Sequence, residues 1–264
     1  MLESTRPRLI NAVFSCLAAL MACHASIAQA AQTAPTSANS VESQGTEPDI
    51  VFGMSNDNAM PLAEFRDYQP TQGILKDLGD AIAAAMHRKA KYIVVPRKRL
   101  DAALQHGVVD GVCYIRPEWV GTALNWSAPV IPNDILLVSS SDMPKPKRLE
   151  DVAGKTIGLV LGYKYPELDA IRDNYQREDA PNMPLNISKL LAGHVQYAVV
   201  DQMTLDYQQK LHPELARFAR LPITKISASC GFSPASKIPI DEINRAIQQL
   251  AGKNAIEEIL ARYR

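Results

Sequence analysis

Along this chain, short apolar runs and amphipathic stretches follow one another in two successive blocks. Ile50-Val51-Phe52-Gly53-Met54 is a continuous apolar run between Asp49 and the polar turn Asn56-Asp57-Asn58, and it predicts a buried strand. After Gly73, apolar residues recur at Ile74, Leu75, Leu78, Ile82, Ala85 and Met86, the spacing of one helix face. Tyr92-Ile93-Val94-Val95 predicts a second strand, stopped by Pro96. Leu100, Ala103 and Leu104 mark a short helix closed by Gly107, and Val108 to Ile115 reads as a third strand. Strands that alternate with helices imply a parallel sheet with right-handed crossovers.

Trp126-Ser127-Ala128-Pro129 then opens an extended stretch that runs to Ser141, and a Pro/Lys-rich turn follows Met143. The alternation restarts with a strand from Lys155 to Leu161. Pro166 stands where the next helix would begin, a position at which its missing N–H costs nothing. Ile187–Leu191 reads as helix, Tyr197–Val200 as strand, Gln202–Leu211 as helix and Ile226–Phe232 as strand. Two helices close the chain, one carrying Ile243, Ile247 and Leu250, the other Ile256, Ile259, Leu260 and Tyr263. Asn254 and Glu257 have the spacing of an N-terminal cap pair for the second. The pattern is that of two α/β lobes joined by extended connections.

The N-terminus changes the picture. Arg6 and Arg8 precede an apolar run from Leu9 to Cys23, about 15 residues and short for a bilayer span. Ala28-Gln29-Ala30 is a small-x-small cleavage signal, so residues 1–30 read as a signal peptide. A membrane anchor is one alternative; lipid attachment at Cys23, after Leu20-Met21-Ala22, is another. Residues 31–48 hold almost no large apolar group and read as a disordered tether.

Charge excludes one class of partner. The chain has 28 basic and 28 acidic residues, and no excess of Lys and Arg that would mark a nucleic-acid binder. Cys16 and Cys23 lie in the leader, which leaves Cys113 and Cys230, an even pair in an oxidising compartment. His87, His106, His194 and His212 are scattered and no Cys/His cluster has metal spacing, so neither a metal nor a cofactor is expected.

Several pieces now fall in a telling order. They are Gly73 with its helix, Arg99-Leu100 through Gly107 and Asp110, Trp126-Ser127-Ala128-Pro129, Leu149-Glu150-Asp151-Val152-Ala153-Gly154-Lys155, Gly162, Leu190 through Asp201, and Ile259-Leu260-Ala261-Arg262-Tyr263. From about Asp49 to Arg264 the chain resembles the family 3 bacterial extracellular solute-binding proteins, which include amino-acid-binding components of ABC importers. The resemblance implies an α/β fold of the type II periplasmic-binding-protein class, two lobes of mainly parallel sheet flanked by helices and joined by two hinge strands. Lobe 1 would span 49–131 plus 226–264, and lobe 2 132–225. Ligand would sit in the cleft and the lobes would close on it. It also implies that the returning strand lies beside the third strand, which would let Cys113 and Cys230 form a disulfide; two buried free thiols are the alternative. The expected partners are a small-molecule ligand and an inner-membrane permease complex or sensor, with the protein itself a monomer.

In open α/β sheets ligands bind beyond the carboxyl ends of strands. Those ends hold the candidate ligand residues Asn56, Asp57, Arg97, Tyr114, Arg116, Tyr163, Lys164, Tyr165 and Asp201. Gly162 to Tyr165 precedes the helix expected at Pro166, whose N-terminus would attract an anion together with Lys164. Asp201 matches a family position that faces a ligand ammonium; capping the helix from Gln202 is its other reading. Family members bind the α-carboxylate with an arginine after the third strand. Here Arg116-Pro117-Glu118-Trp119-Val120-Gly121-Thr122 places no arginine at that position, so Arg116 or Arg97 would have to substitute. Trp119 and Tyr114 would form an aromatic wall, with Trp126 in the core.

The expected function is capture of a small polar, amino-acid-like solute for an ABC-type importer. A periplasmic enzyme is the first rival, since the same fold hosts dehydratases; Asp57, Asp201 and Glu118 are its candidate acid and base groups. A sensor acting through a membrane receptor is the second.

Overall fold

The computed structural model describes residues 48–264. The signal-peptide, lipid-attachment and tether expectations concern residues outside that range, Pro48 apart. The described residues 48–264 belong to one compact unit.

The chain opens with β1 (Ile50–Ser55), a hairpin of β2 (Glu64–Arg66) and β3 (Gln69–Gln72), α1 (Ile74–Ala85), β4 (Ala90–Val95), α2 (Leu100–Gln105) and β5 (Gly111–Ile115). The middle holds β6 (Asn125–Trp126), β7 (Ile131–Ser139), β8 (Thr156–Val160), β9 (Gln176–Ala180), α3 (Met183–Leu191), β10 (Tyr197–Asp201) and α4 (Gln202–Leu211). The last elements are β11 (Ala219–Phe232), α5 (Ile240–Gly252) and α6 (Ala255–Ala261).

One curled sheet runs in the order β4-β1-β5-β11-β7-β10-β8-β9, with β6 paired to β11. β4, β1 and β5 are parallel, as are β10, β8 and β9. The long strand β11 is antiparallel to both neighbours and joins the two ends: residues 219–228 pair with β7, and 229–232 with β5. β7 and β11 are therefore the two connections between lobes. Buried apolar residues cluster on both faces at each end. Ile50, Phe52, Ile82, Phe232 and Ile243 mark one face of the first lobe, and Leu100, Leu104, Val109 and Val112 the other. Ile157, Leu159 and Leu168 lie on one face of the second lobe, and Leu136, Ile187 and Leu205 on the other.

Helix α1 begins at Gly73 for a steric reason. Its φ of 120° suits glycine, and a Cβ there would lie 2.5 Å from the Leu62 carbonyl oxygen. The Gly73 N–H donates to the Tyr263 hydroxyl at 3.0 Å, which ties the helix start to the chain end.

Four local features depart from the sequence expectations. β9 was not anticipated because Gln-Arg-Glu-Asp-Ala has no apolar face; it is an edge strand guarded by charge. β11 starts at Ala219 rather than Ile226, with a register shift between Pro222 and Thr224 where proline cannot donate. Pro166–Ile171 forms a six-residue 3-10 segment, not an α-helix. Asn254 precedes α6 as expected, and its carbonyl accepts the Glu258 N–H, but it adopts a left-handed φ of 59° and its side chain makes no cap.

Cys113 on β5 and Cys230 on β11 are cross-strand partners and form a disulfide, their Cα atoms 3.9 Å apart. The bridge spans a sequence separation of 117 residues. A loop of that length gives up to about 5 kcal/mol in the chain-entropy model. The C113A/C230A double variant is expected to unfold in urea with a stability lower by about 3–5 kcal/mol; an unchanged unfolding free energy would contradict this.

Candidate functional site

A cleft opens where strand ends from the two lobes face each other. The larger of its two chambers measures about 750 Å³, counting the solvent at its mouth. A smaller adjoining chamber of about 290 Å³, counted the same way, shares Asn58, Tyr114, Tyr163, Met183 and Asp201 with it.

Asn133, on the connecting strand β7, organises the cleft. Its Nδ2 donates to the Tyr114 hydroxyl at 2.6 Å and to Asp201 Oδ1 at 3.0 Å. Its Oδ1 accepts the N–H of Asp134 at 2.9 Å and of Met203 at 3.2 Å. Two backbone donors at one end fix which way the amide points. All four hydrogen-bonding positions of the buried carboxamide are filled.

Tyr114 enters the cleft through a bulge. On β5, Ile115 and Cys113 pair with the consecutive residues Ser229 and Cys230, so Tyr114 is the extra residue, with φ 61°. A left-handed bulge residue is usually glycine; here a tyrosine is held there by Asn133 and by the edge of Trp119, 6.1 Å away between ring centroids. Burial holds the Tyr114 phenol well above its ordinary pKa, and the Asp201 charge adds to the shift.

Asp201 ends β10 and caps α4. Its Oδ1 accepts the Thr204 N–H at 2.9 Å as well as the Asn133 amide. With Met203 held by Asn133, two of the first N–H groups of α4 are already engaged. Burial raises the Asp201 pKa against the opposing effect of these hydrogen bonds.

Opposite stand the residues of β1 and β4. The Ser55 hydroxyl donates to Asp57 Oδ1, and the Tyr163 phenol lies within reach of the same carboxylate. Tyr163, from the second lobe, stands beside Asp57; burial first and the Asp57 charge second hold its phenol well above the ordinary range. Arg97 lies over the Tyr163 ring, 5.5 Å from its centroid, and reaches the Trp119 carbonyl at 3.5 Å. No carboxylate among the described residues pairs with Arg97. Gly162, with φ 82°, lets this turn approach Arg97: a Cβ would sit 3.5 Å from Arg97 Cγ.

Arg116 is engaged elsewhere. It pairs with Glu167 at 3.1 Å and with Glu118 at 3.3 Å, and stacks over Trp119 at 5.4 Å. Glu167 comes from the second lobe, and its side chain is only 5% exposed. Tyr165 accepts the Val160 N–H at 2.9 Å under the Arg177 guanidinium, and burial raises its pKa. Lys164 is exposed at the rim of the large chamber. The short 3-10 segment at Pro166 supplies too few aligned peptides for the anion-attracting helix end expected there.

The structure thus brings Arg97, Tyr114, Tyr163, Lys164, Tyr165 and Asp201 to the large chamber and Asp57 to the small one. Asn56 is exposed and Arg116 lines neither chamber. Trp119 lines the cleft, its Nε1 buried without a partner, whereas Trp126 packs with Ile115 and Leu124 in the core. Sequence reasoning missed Asn133 and Glu167. Neither ends a strand of the parallel sheet, and the only signal for Asn133 is the polar pair Asn133-Asp134 within a connecting strand that is mostly apolar.

No protein-family model matches the chain, and no curated protein matches it. Solved structures do. The substrate-binding protein of an amino acid ABC transporter superposes with a TM-score of 0.66 at 20% identity, over 81% of this chain and 98% of that one. An ancestral amino-acid-binding protein, precursor of cyclohexadienyl dehydratase, gives 0.67 at 16% identity over 81% and 95%. A histidine kinase sensor domain similar to periplasmic binding proteins gives 0.66 at 19% over 81% and 95%. At these identities the likeness is one of fold. The chain has the two-lobed fold of periplasmic binding proteins, and its structural neighbours are amino-acid-binding members of that class.

Asp201 carries a pH prediction. Its folded pKa lies above the ordinary 3.8, so the native state holds the proton more tightly than the unfolded chain does. Ionisation therefore lowers native stability as pH rises from 3.8 through the folded value. Measured by urea unfolding at a series of pH values, wild-type stability relative to Asp201→Asn is expected to fall across that window. A difference that stays flat would contradict the assignment.

Proposed function

We propose that this chain is an exported solute-binding protein that holds a small amino-acid-like solute in the interlobe cleft and delivers it to an inner-membrane permease complex. The observation that carries the reading is Arg97, a cation in the cleft with no carboxylate partner among the described residues. Its guanidinium has the forked donors that suit a carboxylate. Since Arg116 is bound to Glu167 and Glu118, Arg97 is the arginine that remains for a ligand anion, with Lys164 at the rim. Tyr114, Trp119 and Tyr163 supply apolar surface around it. The lobes divide at the crossings β7 and β11, near residues 131 and 226.

Export rests on the leader sequence; among the described residues no helix is long and apolar enough to cross a membrane. The transporter neighbour supports delivery to an importer, and the sensor-domain neighbour supports signalling through the same cleft. Against the enzyme reading, Asp201 is engaged as a cap and Glu118 is paired with Arg116, which engages two of its three candidate acid and base groups.

A thermal-shift screen against amino acids, polyamines, small carboxylates and sugars tests this. A solute at 100 times its dissociation constant adds about 2.7 kcal/mol of stability. At least one amino acid is expected to raise the melting temperature, and Arg97→Ala to weaken its binding by about tenfold to a hundredfold. Equal binding by wild type and R97A would remove Arg97 from the site.

A further inference from the structure

The polar groups of the cleft divide by whether the protein itself already uses them. The carboxylates at both chambers have partners within the chain. Glu167 is paired with Arg116 at 3.1 Å. Asp201 Oδ1 accepts from the Asn133 amide and the Thr204 N–H. Asp57 accepts from the Ser55 hydroxyl, with the Tyr163 phenol beside it. Asn58 Oδ1 accepts the Ser55 N–H at 3.0 Å. The cations stand differently. Arg97 from the first lobe and Lys164 from the second both line the large chamber, and neither pairs with a carboxylate among the described residues. What the cleft has left to offer is therefore positive charge and N–H donors, which suit an anion.

The rest of the large chamber is mostly apolar. Leu75 and Leu100 line it from the first lobe, Met183 and Val199 from the second, with aromatic rings between them. An apolar group placed there is stabilised in proportion to the area it removes from water. An ammonium or hydroxyl placed there gives up its hydration and meets carboxylates that are already engaged.

Building on the reading of the cleft as a solute site, we infer that the solute is an organic acid with an apolar body, and that its binding does not depend on an amino group. The carboxylate goes to Arg97, and an aromatic or branched aliphatic group fills the large chamber. Among amino acids the cleft thus selects those with apolar side chains, and it accepts their amine-free analogues.

Calorimetric titration of the full chain tests this with 3-phenylpropionate, which carries the acid and a ring without an amine. Propionate lacks the ring. The probes 3-phenyl-1-propanol and 3-phenylpropylammonium replace the acid by a neutral and a cationic group, and L-phenylalanine adds the amine. Wild type is expected to bind 3-phenylpropionate saturably, about tenfold or more tighter than propionate, the alcohol or the ammonium. L-phenylalanine should bind no more than about threefold tighter than 3-phenylpropionate. Arg97→Gln should weaken 3-phenylpropionate about tenfold or more, and Met183→Gln about threefold to tenfold. The inference is overturned if 3-phenylpropionate does not bind, if propionate, the alcohol or the ammonium matches it, if phenylalanine exceeds it by more than that margin, or if either variant binds it as wild type does. Should a variant fail to fold, the comparisons on wild type decide alone. A polar amino acid that binds where 3-phenylpropionate does not would leave the solute-binding reading standing while refuting the apolar acid. Absence of binding by every probe and every solute of the thermal-shift screen would refute both.

Discussion

The carboxamide of Asn133 is the interaction on which the cleft depends. It sits on a connecting strand, where any displacement alters how the lobes meet. One N–H holds the Tyr114 hydroxyl of the first lobe, the other holds Asp201 of the second, and the oxygen takes up a buried backbone donor at the start of α4. An amide suits this position because it offers two donors and two acceptor sites at fixed angles. An apolar residue would leave the Tyr114 phenol and the Met203 N–H without these bonds and take one of the donors from the buried Asp201 carboxylate. Buried polar networks of this kind are stable only when complete.

Around that centre the lobes touch through side chains of opposite character. Arg116 reaches across to Glu167, Arg97 lies on Tyr163, and Tyr163 stands beside Asp57. These side chains are partly buried, so each charge acts more strongly than it would in open solvent. The disulfide between β5 and β11 braces the strand that carries Tyr114, one residue from Cys113. Rigid support behind the cleft and unsatisfied groups inside it are what a binding site held ready for a small solute requires.

Much of the fold was legible because local patterns and packing agreed. The run at Ile50, the helical spacing after Gly73 and the strand-to-helix step at Asp201 each specify an element and its buried face. The elements that escaped were those with weak local signals. β9 is polar along most of its length, and the first half of β11 is interrupted by Pro222. The site was legible to the extent that it lies at strand ends. Which charges are engaged was not, because that depends on contacts between residues far apart in sequence. Arg116 and Glu167 are 51 positions apart, Asn133 and Asp201 68. The bulge that turns Tyr114 into the cleft has no glycine to announce it.

One amide joins the lobes and builds the cleft. Urea unfolding of Asn133→Ala tests it most directly, combined with the NMR signature of the Tyr114 ring. The variant is expected to lose about 2–5 kcal/mol and to show a displaced or averaged Tyr114 resonance, because three buried groups lose their bonds to Asn133 together. A variant with wild-type stability and an unmoved Tyr114 would show that the cleft is held by something other than Asn133.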